Sequence, residues 1–140
     1  MTFFVNFFHF LLKFLLSFCD KNNQIDLAYP TTKIRYIARK KGLAGSDDME
    51  QAKIDDILET LAELEKNGMP HMEFVARLNK ILNDMEKQLV ANGGHFMVGQ
   101  NMSVADIGVY VVLDQISDRA RAMYPHLKAL YESIDISLYF

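Results

Sequence analysis

From Thr31 onward the apolar residues recur at steps of three and four, the spacing that lines them along one face of an α-helix. No alternating run of β-branched residues interrupts this pattern, so the expected fold class is all-α, a helical bundle. Glycine and proline divide it into blocks. Thr31 to Lys41 sets Ile34, Ile37 and Ala38 on one side, with Lys33, Arg35, Arg39, Lys40 and Lys41 around the rest, and Gly42 supplies the carboxy-terminal cap. Cations near a helix end complement its dipole, and this face reads as solvated rather than as a phosphate or lipid patch. Ser46 is the expected N-cap of the next helix, whose stripe is Ile54, Ile57, Leu58, Leu61 and Leu64, running as far as Lys66. Asp47, Asp48 and Glu50 place negative charge over its positive end. Asn67 to Pro70 breaks the chain. A following helix carries Val75, Leu78, Leu82, Met85 and Leu89, a stripe expected to pack on a partner helix, and it ends at Asn92, Gly93 and Gly94.

The most specific signal follows. Ser103-Val104-Ala105-Asp106 has the form of a capping box with Asp in place of Glu or Gln, and Met102 and Ile107 are spaced as a hydrophobic staple. From Val104 to Leu113 the helix is apolar on almost every side, which predicts a central, buried helix. Pro125 then suits a helix start, with Leu127, Leu130 and Ile134 as the buried face of the last element.

The amino terminus breaks this regularity. Seven of the ten phenylalanines fall within the first eighteen residues, where Lys13 is the only ionised side chain. Met1 to Cys19 is at the short limit for a membrane span and is interrupted by Asn6, His9 and Lys13. As a signal peptide it lacks a basic start and a small-x-small site. The third reading is a hydrophobic arm, exposed or loosely docked, or an erroneous start to the coding sequence. Residues 20–30 read as a polar linker.

Composition narrows the chemistry. The chain has 140 residues, half of them apolar, enough for one globular domain with a real core. A net charge of −3 is the wrong sign for neutralising phosphates, which argues against nucleic acid as a partner. The single cysteine, Cys19, makes no internal disulfide and fits a reducing compartment. His71 and His95 have no second ligand at metal spacing, so no metal is expected. Asp55 and Asp56 are adjacent on a helix and point about a quarter-turn apart, so they do not converge as an acid/base pair.

RYIARKKGLAG, QAKID, GGHFMVGQNMSVADIGV and YPHLKALYESI, in that order, resemble the glutathione S-transferase family, most closely its sigma-like cytosolic members. The likeness covers about Thr31 to Ile134. It implies that residues 31–45 are the last helix of a thioredoxin-like domain and residues 46–140 the helical carboxy-terminal domain. It also implies glutathione as co-substrate, a cytoplasmic location and a homodimer, with a membrane as partner only if residues 1–19 are an anchor. By position, Asp55 matches the aspartate that reaches across the dimer to the ammonium of glutathione, although an ordinary exposed helix carboxylate fits the same residue.

The resemblance also sets out what to look for and fails to find it. The family's thioredoxin-like half supplies the proline loop that grips glutathione and an early tyrosine that stabilises the thiolate, and neither can be placed in Met1 to Tyr29. The Gln-Ser pair that holds the γ-glutamyl carboxylate falls at Tyr29 and Pro30. No catalytic residue is therefore named. The expectation is a glutathione S-transferase-like chain, truncated and inactive alone. The alternative is a non-catalytic interaction or structural module of the same fold.

Overall fold

The computed structural model describes residues 30–65 and 69–139, and every regular element among them is a helix. Helix α1 spans Pro30–Lys40, and α2 spans Asp48–Ala62, continued by a 3-10 turn over Glu63–Glu65. Then come α3 (His71–Ala91), α4 (Val104–Asp114), the single turn α5 (Asp118–Arg121) and α6 (Pro125–Tyr139). The arm at 1–19 and the linker as far as Tyr29 lie outside the described residues.

Helix α4 is the centre of the bundle, with α2 packed on one side and α6 on another, while α3 closes against α6. Every residue from Val104 to Leu113 is buried, as an all-round apolar helix requires. Helix α1 adds Ile34, Ile37 and Ala38 to the same core. It ends at Gly42, whose φ of 72° lets Leu43 N–H turn back to the Ala38 carbonyl at 2.7 Å. The Leu43 carbonyl then accepts from Val104 N–H at 2.8 Å, so the loop after α1 caps the core helix.

Two expectations need correcting. The N-cap of α2 is Asp47, not Ser46: Asp47 Oδ1 accepts from Glu50 N–H at 2.8 Å. Ser46 is bound instead by Glu50, whose Oε2 takes both its N–H and its hydroxyl at 2.7 Å. The cap forms one residue further along because aspartate reaches the third helical N–H as well as serine does. The α3 stripe departs at one position: Leu82, Met85 and Leu89 are buried and Leu78 packs against the core as expected, but Val75 does not. The buried residues of α3 are Ile81, Leu82, Met85 and Leu89, whereas Val75 is 39% exposed and Met72 is 84% exposed. The opening turns of α3 pack Phe74 and Leu78 against the core while their other side flanks a groove beside the end of α2.

Long-range bonds tie the remaining ends. Glu86 of α3 accepts from the backbone N–H groups of His126 (2.8 Å) and Leu127 (2.9 Å), capping α6 from another helix, and also meets His126 Nδ1 at 2.7 Å. At the far end of α4, the Arg121 guanidinium donates to the carbonyls of Leu113 and Ile116, both at 2.7 Å, and lies 4.5 Å from the Tyr131 ring centre.

Candidate functional site

Asp55 stands on α2 where α1 crosses it. Arg35 of α1 reaches over with Nε 3.1 Å from Asp55 Oδ1, and one terminal nitrogen lies 2.7 Å from Glu59 Oε1. Burial alone would lower the Arg35 pKa, but the bonds to Glu59 and Asp55 outweigh it and raise it. Two carboxylates one turn apart thus share one guanidinium. Asp55 is 39% exposed, and the structure gives its Oδ2 no hydrogen bond among the described residues, so that oxygen can take a further cation. The crevice between Arg35, Arg39, Gln51 and Asp55 measures about 10 Å³, room for a single water and no larger ligand.

Asp106 is the second residue singled out by sequence, and it is fully buried. It faces Ser103 in the reciprocal capping arrangement. Its Oδ2 accepts from Ser103 N–H at 2.9 Å and from the Ser103 hydroxyl at 3.4 Å. The sequence did not foretell the third bond, from Met97 N–H to Oδ1 at 2.8 Å, which fastens the 95–102 loop to the core helix. Burial pushes this carboxyl up to about 6, against the hydrogen bonds from Met97, Ser103 and its own backbone that favour the ionised form. The pair positions backbone and presents no atom to solvent, so its role is architectural.

The groove between the end of α2 and the start of α3 has a volume of about 570 Å³. Its walls are Thr60, Glu63, Glu73, Arg77, Lys80 and Asp84, with Ala76 and Ile81 as its apolar lining. Arg77 bridges Glu63 at 3.2 Å and Glu73 at 3.4 Å across it. Charged side chains make up most of its walls. Among the described residues no cluster of His, Cys, Asp and Glu could hold a metal ion, and no helix is long and apolar enough to cross a membrane.

The model of the family described as Glutathione S-transferase, C-terminal domain matches residues 47–136, from the cap of α2 into α6. The chain belongs to the glutathione S-transferase family. Its described helices from α2 onward are that family's C-terminal domain, and α1 precedes it. Glutathione S-transferase P 1 of Xenopus laevis is 30% identical over 115 residues, covering 72% of this chain and 54% of that protein. S-crystallin 2 of Enteroctopus dofleini is 25% identical over 144 residues, covering 83% of this chain and 67% of that one. The chain therefore spans about half the length of the first relative. The crystal structure of a Nu-class glutathione S-transferase from Haemonchus contortus superposes with a TM-score of 0.65 at 21% identity, covering 77% of this chain and 62% of that one, which shows the shared fold.

Proposed function

We propose that these helices act as the helical domain of a glutathione S-transferase-like protein working in the cytoplasm as a homodimer. In this reading α1 is the last helix of a thioredoxin-like domain. Asp55 contributes a carboxylate to the ammonium of glutathione bound by the other subunit. The observation that carries it is the Arg35–Asp55–Glu59 cluster, which holds one Asp55 oxygen in place and leaves the other without a hydrogen bond among the described residues. A half-exposed ion pair of this kind is worth up to about 1 kcal/mol, so Asp55 serves orientation more than affinity.

Conjugation needs a thiolate at neutral pH, and lowering a thiol pKa takes a donor or a positive charge at the sulfur. We assign that role to no described residue. The test uses the full chain on immobilised glutathione and with a general aromatic electrophile. Retention that weakens in Asp55→Asn, together with conjugation at the uncatalysed rate, supports the reading. Turnover well above that rate and lost on mutating one residue overturns the inactive assignment.

The similarity to S-crystallin 2, a relative not named as a transferase, favours a second reading: a non-catalytic structural or interaction module. It predicts no retention on glutathione by wild type and variant alike.

A further inference from the structure

Helix α3 ends on Asn92-Gly93, and one side chain there holds a whole loop. Asn92 Nδ2 donates to the carbonyl of Phe96 at 2.8 Å and to that of Gly99 at 2.9 Å, so both amide hydrogens are spent on loop backbone. The next links follow directly: Met97 N–H, between those two carbonyls, is the group that bonds the buried Asp106. Asn92 is itself exposed, and Gly93 has a φ of 97° and nothing within 4 Å of where a Cβ would stand.

An asparagine followed by glycine carries its own reaction. The Gly93 nitrogen attacks the Asn92 side-chain carbonyl carbon, a C–N bond forms, the bond to the amide nitrogen breaks, and ammonia leaves with the proton that the Gly93 nitrogen gives up. Water then opens the cyclic imide to aspartate or isoaspartate. Glycine permits this because no side chain obstructs ring closure. In the folded chain both reacting groups are engaged elsewhere. Gly93 N–H bonds the Val90 carbonyl at 3.1 Å, and the Asn92 amide is turned toward Phe96 and Gly99.

We propose that Asn92 is a deamidation site gated by its own latch: intact while the 92–99 loop is closed, converted when it opens, and unable to close again. A carboxylate at this position has no hydrogen to donate and would face two carbonyl oxygens, so conversion makes local opening permanent. Through Met97 the effect reaches the start of the core helix.

The experiment incubates the full chain in mildly alkaline buffer with and without denaturant. Peptide mapping by mass spectrometry follows the conversion of amide to acid at Asn92, separately from the chain's other Asn-Gly pair at Asn67. A synthetic peptide of residues 88–96 in the same buffers corrects for the denaturant. Conversion at Asn92 is expected to be at least about tenfold slower in the folded chain, as for a site exposed only by local opening. Asp106→Asn, which has one acceptor oxygen for the two backbone N–H groups of Met97 and Ser103, loosens this anchor and is expected to speed it several-fold. The deamidated wild-type fraction, isolated by anion exchange, should melt below the unmodified chain. Equal rates folded and unfolded, no acceleration in Asp106→Asn, or an unchanged melt of the isolated fraction would each overturn the proposal. If Asp106→Asn does not fold, the first and third comparisons decide.

Discussion

Helix α4 and the opening turns of α3 are both helices that the apolar pattern predicts, and they are held in opposite ways. Helix α4 is buried from Val104 to Leu113, fastened at its start by Leu43, Ser103 and Asp106 and at its end by Arg121. Helix α3 begins at His71 after Pro70, with no side-chain cap, and leaves Met72 and Val75 exposed. Three-and-four spacing therefore specifies a helix without specifying that every position of its stripe finds a partner. Burial depends on what the rest of the chain brings to that face, and here the neighbouring groove is lined with charge.

The sharpest way to break this contrast is a pair of truncations read by denaturant unfolding. Leu113→Ala removes a fully buried side chain and should cost about 2–5 kcal/mol. Val75→Ala, on the exposed side, should stay within about 0.5 kcal/mol. A comparable loss from both would show that the opening turns of α3 are covered in solution.

Asp106 sharpens the comparison through pH. Its carboxyl holds a proton up to about 6 in the folded chain, against an ordinary value of 3.8. Between those two values the folded state binds more protons than the unfolded one. The contribution to stability is therefore fully present below about pH 4 and is lost as pH rises through 6, by on the order of 3 kcal/mol at ~1.4 kcal/mol per pH unit. Asp106→Asn should flatten that slope. Unfolding curves for wild type and variant that keep a constant separation from pH 4 to 7 would refute the assignment.

Arg121 tests the other end of the helix. Arg121→Met keeps an apolar stem but takes the guanidinium from the Tyr131 ring and from the Leu113 and Ile116 carbonyls, the first of which still accepts from Ile116 N–H, for an expected cost of about 1–3 kcal/mol. Burial and the bond to Asp114 push the Tyr131 hydroxyl up to about 12, and Arg121 opposes this shift, so the variant should raise that titration further by absorbance.

What was legible in the sequence is local in the chain. The Ser103–Asp106 box, the all-apolar run after it and the proline start of α6 each rest on residues a few positions apart, and local chemistry decides them. The slip from Ser46 to Asp47 is an error of one residue between two competent caps. Contacts between distant residues were not legible: Glu86 capping α6 from forty residues away, Arg121 turning back to α4, and Arg35 reaching Asp55. Asp55 could be singled out only by resemblance, because nothing local distinguishes it from Asp56.

The smallest expected effect settles what holds α1 on the bundle. If charge held it, removing Arg35 would release two carboxylates and loosen the helix. If packing held it, Ile34, Ile37 and Ala38, all within 1% of complete burial, would keep it in place, helped by the loop bond from Val104 to Leu43. Arg35 is one-third exposed and Glu59 nearly two-thirds, so solvent screens both pairs. Arg35→Ala should therefore cost less than about 1 kcal/mol, a loss that shrinks as salt is added. Ile37→Ala, which empties a fully buried site, should cost about 2–5 kcal/mol at any salt concentration. The reverse ranking would make α1 an electrostatically docked helix, and the Asp55 carboxylate would then be committed to Arg35 rather than left with an oxygen for a ligand.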